Sequence, residues 1–284
     1  IFELIANISI KYHLRLSYKI FYILFKFFLK KKIILNFDNY KFYAYPEKKD
    51  LSRWMIRNLK IWDKKNIYLI KNKIQKKGGI FIDIGCNYGA YSIPIAKCNE
   101  NINVYCFDPS KKSVDKLIEN IKLNQIKNIK FFQIGIGEKE KKANFDDNLK
   151  NYKNSGSYQI NDYNDGTKID INSIDNLILD GIITPEENIF IKIDIEGYEF
   201  FALQGLTKTI KDFHVMIFFE FSRNILKNHE NFKFKFKEFI KTNNLIITNN
   251  EFEEQDLDEM FIKLNKLSPD HEVLDNFILI KKKT

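Results

Sequence analysis

The chain has 284 residues, 44% of them hydrophobic and 15% aromatic. That is enough apolar side chain for one large α/β domain with an appendage, or two small domains, and too much for a disordered chain. The formal net charge of +9 is unevenly placed: Lys11, Arg15, Lys19, Lys26, Lys30, Lys31 and Lys32 stand against Glu3, and the remainder is close to neutral. A nucleic-acid partner, which needs a basic face, is therefore not expected. Cys86, Cys98 and Cys106 are odd in number and show no CxxC spacing, which predicts reduced thiols and a cytoplasmic setting.

Residues 2–32 read as one long helix or two, apolar and aromatic with cations at intervals. One reading is an interfacial helix giving peripheral contact at the inner face of an anionic membrane, with Lys30, Lys31 and Lys32 at the headgroups. The other is a helix packed on the domain or on a partner subunit. Residues 20–29 are interrupted by Lys26 and are too short for a membrane span. No small-residue cleavage site marks a secretion signal. Residues 33–45 alternate and suggest a small hairpin; 51–58 and 66–76 read as helices stopped by Gly78 and Gly79. These 76 residues form an N-terminal extension to a domain spanning 77–284.

From residue 80 strand and helix signals alternate. Strands are predicted at 80–84, 103–107, 129–134, 188–193, 215–219, 245–248 and 276–280, and helices at 91–98, 111–124, 173–179, 200–211 and 232–243. Ser110 is the expected N-cap of the 111–124 helix. Residues 141–171 are polar and turn-rich, an insertion that reads as a β-hairpin or a loop over the site. The order implies a Rossmann-like, doubly wound, mostly parallel seven-stranded sheet, with room for one antiparallel terminal strand.

The chemistry-bearing segments sit where strands end. The first strand stops at Asp83, Gly85 and Gly89, a G-x-x-x-G turn looser than the G-x-G-x-x-G of a dinucleotide site. Glycines there allow close backbone approach, and the looser turn suits a ligand without a pyrophosphate. Asp108, at the end of the second strand, is placed to accept both hydrogens of a ribose diol. Asp194 and Glu196 follow the fourth strand and Glu220 ends the fifth. Carboxylates two apart in extended chain point the same way, and a cluster of them raises pKa values and makes a base. It would equally suit a divalent cation, although no His joins it and no metal site is assigned. Glu199 reads as a solvated first-turn acid complementing a helix dipole.

Together these features resemble class I S-adenosylmethionine-dependent methyltransferases over about residues 76–282. More narrowly, DIGCNYGAYS, CFDP followed by a helix ending in N-x-x-x-N, NSGSYQ, KIDIEGYEFFALQG and IFFEFS occur in the order seen in FkbM-like methyltransferases. Cys86 stands where that family usually has Ala, and Trp62-Asp63 where it usually has a Tyr-Glu-like pair. The resemblance implies S-adenosylmethionine as cofactor, with Asp83, Gly85, Cys86, Asn87, Gly89, Tyr91 and Ser92 on its methionyl side, and Asp108 and Pro109 on its ribose. Backbone around Gly135 and Ile136 would meet the adenine. Asp194 would serve both cofactor and catalysis, with Glu196 and Glu220 as further candidates for the base. Asn154, Ser155 and Gly156 would shape the acceptor pocket. The implied acceptor is a hydroxyl, commonly on a sugar of a polysaccharide or glycolipid. Two alternatives stand beside this: a nicotinamide-dependent oxidoreductase, and an inactive membrane-associated scaffold.

Overall fold

A computed structural model describes residues 32–45, 50, 52–58, 60–146, 159–161, 166–222, 225–226, 231–267 and 273–282. The helix expected over 2–32 lies outside the described residues, apart from Lys32. In chain order the first elements are β1 (Ile33–Phe37), β2 (Tyr40–Ala44), α1 (Ser52–Asn58), α2 (Lys64–Lys77), β3 (Ile80–Ile84), α3 (Ser92–Cys98), β4 (Val104–Phe107), α4 (Lys111–Asn124) and β5 (Ile129–Phe132). Then come β6 (Gly135–Ile136), β7 (Lys141–Asp146), β8 (Gln159–Asn161), β9 (Thr167–Asn172), α5 (Ile174–Leu179) and β10 (Asn188–Ile193). The chain closes with α6 (Glu199–Gln204), α7 (Thr207–Asp212), β11 (His214–Ser222), α8 (Phe232–Thr242), β12 (Leu245–Thr248), α9 (Leu257–Asn265) and β13 (Val273–Lys281).

Seven strands form the central sheet in the order β12-β13-β11-β10-β3-β4-β5. All neighbours from β11 to β5 are parallel, and β13 runs antiparallel to both β11 and β12. This is the mostly parallel, doubly wound sheet expected, with one reversed strand. The order turns back on itself between β3 and β10, and the carboxyl ends of strands at such a switch point bound a ligand crevice.

Alternation along each strand divides the core. Ile80, Ile82, Ile84, Ile191, Ile193, Ile217 and Phe219 pack on one face with residues of α5 to α9. Phe81, Cys106, Phe190 and Phe218 pack on the other with α2, α3 and the β1–β2 hairpin. α2 reaches this core through Ile67, Ile70 and Ile74, spaced for one helical face. The hairpin is held by α4. Asn120 and Asn124, one turn apart, accept the Tyr43 and Lys41 amides at 2.8 and 2.7 Å. Asn120 also donates to the Tyr88 carbonyl at 2.9 Å, so one side chain ties the hairpin to the turn after β3. α4 itself starts at Ser110, whose hydroxyl accepts the Ser113 amide as expected of an N-cap.

One expectation is corrected. The single helix over 200–211 is two short helices, broken at Gly205. An added Cβ there would sit 2.1 Å from the Gly137 carbonyl oxygen, so the break packs directly against a neighbouring loop. The insertion over 141–171 contains the expected antiparallel pairing, β7 with β8, and extends it into a second sheet, β6-β9-β7-β8, with its own small core of Phe145, Ile169, Ile171 and Tyr198.

Candidate functional site

A cleft opens at the carboxyl ends of β3, β4 and β10. Its floor is Ile84, Gly85 and Asn87, and its sides are Phe107, Asp108, Pro109, Ile134, Gly135 and Ile136. Asp194, Ile195 and Glu196 close it on the β10 side, and Phe145 and Ile160 reach over from the second sheet. The turn after β3 is tied to the end of β4: the Gly85 and Cys86 amides both donate to the Phe107 carbonyl, at 2.9 and 3.2 Å. Gly85 has a φ of +81°, and a Cβ on it would sit 2.0 Å from the Asp194 carbonyl oxygen. Only glycine lets the two strand ends come this close.

Asp108 is 7% exposed. One carboxylate oxygen accepts the Asn87 amide at 2.9 Å and the other the Ser110 amide at 2.8 Å. Each keeps lone-pair capacity for a second donor from the cleft. Burial pushes the Asp108 pKa up to about 6, against the opposing pull of those two amides. Asn87, in the left-handed region at φ 48°, aims its amide at this carboxylate. The role of helix cap falls to Ser110, which leaves Asp108 to face the cleft.

The loop after β10 is unusual. Glu196 has a φ of +53° and Gly197 of +101°. Glu199 is fully buried, accepting the Ile195 amide at 3.0 Å and the Gly197 amide at 3.1 and 2.9 Å. Burial drives its pKa up to about 7 despite these bonds. The solvated role expected for Glu199 is thus corrected: the loop folds back over it, and its carboxylate pins the turn that carries Glu196.

Of the residues singled out from sequence, Gly85, Asn87, Asp108, Pro109, Gly135, Asp194 and Glu196 line the cleft together. Asp83, Cys86, Gly89, Tyr91 and Ser92 do not line it. Asp83 alternates with Ile82 and Ile84, and so points to the α2–α3 face, where it is 1% exposed and accepts the Ser92 hydroxyl. Burial, chiefly, raises its pKa. Burial likewise raises the thiol of Cys86, at 4% exposure. Tyr91 donates its hydroxyl to Asp63 and stacks beneath the Lys192 ammonium, 5.0 Å from its ring centroid. Glu220 sits outside the cleft lining, near the end of β11 and half-buried; burial raises its pKa well above the carboxylate range, and Asp194, Glu196 and Glu199 add to the effect. Asn154, Ser155 and Gly156 lie outside the described residues. Sequence reading missed Lys192, whose signal was a lone cation in an apolar strand, and Phe145 and Ile160, which only the second sheet brings over the cleft.

Among the described residues no helix is long and apolar enough to cross a membrane, and no three His, Cys, Asp or Glu side chains are grouped to hold a metal ion.

Three solved structures are similar in part. A methyltransferase FkbM from Methylobacillus flagellatus shares 16% identity and a TM-score of 0.42, over 71% of this chain and 43% of that one. The present chain thus matches less than half the length of that protein. TYW2 from M. jannaschii, crystallised with AdoMet, shares 14% identity and a TM-score of 0.41 over 89% and 86% of the two chains. A precorrin-6y C5,15-methyltransferase from Geobacter metallireducens shares 12% identity and a TM-score of 0.42 over 78% and 92%. No curated protein sequence matches the chain. The sequence pattern of the methyltransferase FkbM domain, however, matches residues 83–255, well over half the chain and all of the cleft. The chain belongs to the FkbM methyltransferase family.

Proposed function

We propose that this protein transfers a methyl group from S-adenosylmethionine to a hydroxyl, on a sugar of a cell-surface polysaccharide or glycolipid. The observation that carries the reading is the placement of Asp108 and the Asp194–Glu196 turn on either side of Gly85 in one cleft. The residues fit the cofactor. The Asp108 carboxylate is pre-oriented by two amides and has acceptor capacity left for a ribose diol. Phe107, Ile134 and Ile136 offer an apolar wall to an adenine ring.

Bound there, S-adenosylmethionine supplies an activated methyl whose leaving group is a neutral thioether. The protein's part is alignment, exclusion of water and removal of the acceptor's proton. Asp108 holds the ribose. Asp194, against Gly85, faces the methionyl end. Glu196 is the first candidate for the base, because the pinned turn aims it at the cleft. Glu220, near the end of β11, does not line the cleft and is the weaker candidate for the base. Family membership decides against the nicotinamide alternative.

The test is incubation of the full chain with methyl-labelled cofactor and an envelope polysaccharide or glycolipid extract. Label recovered as a base-stable methyl ether on a sugar supports the reading. Label in a base-labile ester or on nitrogen overturns the hydroxyl acceptor. Absence of cofactor binding in titration calorimetry would leave only the inactive-scaffold alternative.

A further inference from the structure

Lys192 is the one charged residue of β10 and is 7% exposed. Directly beside it in register stands Asp83 on β3. Its ammonium donates to Asp194 Oδ2 at 2.8 Å and lies over the Tyr91 ring, whose hydroxyl is fixed by Asp63. Asp83 Oδ2 accepts a hydrogen bond from the Ser92 hydroxyl, while its Oδ1 is buried without a hydrogen-bond partner. Burial alone would lower the lysine pKa. Asp194, Asp83 and Glu220 outweigh it, and the ammonium stays charged above its ordinary range. A buried cation persists only where its partners compensate for lost hydration. Here one partner, Asp83, is sealed in the core and the other, Asp194, lines the cleft.

We infer that Lys192 is a positioning residue for the cofactor: it draws Asp194 Oδ2 down to the sheet and so leaves Oδ1 to the cleft, beside Gly85. Lys192 itself does not line the cleft. The inference rests on the S-adenosylmethionine reading above. Its rival is that Lys192 merely neutralises Asp83.

The two separate in variants of the full chain, followed by thermal unfolding and by calorimetry with S-adenosylhomocysteine. Asp83→Asn removes the sealed charge and supplies the baseline. Lys192→Met alone leaves Asp83 uncompensated and lowers the thermal midpoint. Lys192→Met with Asp83→Asn restores the midpoint toward that of Asp83→Asn, yet binds S-adenosylhomocysteine about tenfold or more weakly than Asp83→Asn, the worth of one misplaced charge-assisted hydrogen bond. Equal affinity in the two would overturn the inference and leave charge neutralisation as the whole role. Should the double variant fail to fold, Lys192→Arg carries the test. Its longer, forked head displaces Asp194, so affinity falls about threefold in the native background and is unchanged where Asp194 is Ala. The same loss in both backgrounds would sink the idea. Failure of the unaltered protein to bind S-adenosylhomocysteine defeats the cofactor reading itself, before any variant is compared.

Discussion

Asp108 is the acid on which the proposed cofactor contact depends most, and its replacement is the most informative. If Asp108 holds the ribose as proposed, Asp108→Ala removes two hydrogen bonds from the diol to a carboxylate. Bonds to charged groups are worth about 1.5–3 kcal/mol each. Because both sit on one diol, the loss is not fully additive, and about 3–4 kcal/mol is a fair sum. That corresponds to a cofactor Kd weaker by about 10²–10³-fold. The Asn87 and Ser110 amides lose their acceptor, the latter in a buried position, so a modest loss of stability should accompany the change without abolishing the fold. A pH signature accompanies it. The carboxyl titrates at about 6 in the unliganded protein because it is buried. If only the ionised form takes the diol, affinity falls about tenfold between pH 7 and pH 5. Asp108→Asn should bind more weakly than the native protein at pH 7 and show no such fall. Titration calorimetry at pH 5, 6 and 7 reads both effects. A Kd within threefold of native in Asp108→Ala, or a pH dependence that persists in Asp108→Asn, would refute the ribose role.

Glu196→Gln should leave S-adenosylhomocysteine affinity unchanged and slow methyl transfer by about 10²–10⁴-fold, the usual worth of a positioned base; an initial-rate assay returning the native rate moves the base elsewhere. Glu199→Gln addresses stability. Its pKa in the folded protein is raised to about 7 from 4.5, so folding takes up a proton, and the associated stability is full below pH 4.5 and lost as pH rises through 7. Urea unfolding between pH 5 and 8 should therefore show a flatter stability profile in Glu199→Gln than in the native chain, and an identical slope would exclude Glu199 as the source. Gly85→Ala would set a Cβ 2.0 Å from a backbone oxygen at a φ of +81°, which predicts a stability loss of about 2–4 kcal/mol in urea unfolding; a change under about 0.5 kcal/mol would mean that the strand ends are free to part. Removal of residues 1–31 should abolish co-sedimentation with vesicles of anionic phospholipid without changing cofactor affinity, if that basic segment is the membrane contact; equal sedimentation of both forms assigns it to packing.

The sheet was legible because its strands announce themselves locally. Ile80–Ile84, Asn188–Ile193 and Leu245–Thr248 are apolar runs bounded by turn residues, and the structure gives them those same limits. Ser110 was legible as a cap for the same reason, since capping is settled within three residues. The setting of Lys192 was not legible, because it depends on which strands lie side by side. The row Lys192, Asp83 and Cys106 exists only through register between β10, β3 and β4. The parity of β3 alone would have turned Asp83 away from the ligand, as Ile82 and Ile84 claim the opposite face. Glu199 misled for another reason: a first-turn acid is ordinarily solvated, and nothing local announces that the preceding loop will bury it.

That loop joins strain to function. A non-glycine residue at a φ of +53° costs on the order of 1 kcal/mol, and at position 196 the residue bearing that strain is a long, charged one. Glycine or asparagine would relax the turn. The neighbouring Gly197 already supplies a residue free of that steric penalty, so the strain at 196 is not forced by the chain's need to reverse direction. What holds the conformation is Glu199, whose buried carboxylate binds the amides on both sides of Glu196. Charge-assisted bonds of this kind return more than the strain consumes. One carboxylate is therefore sealed in the protein to fix a second one in the cleft, and the second is the group that a hydroxyl acceptor would meet.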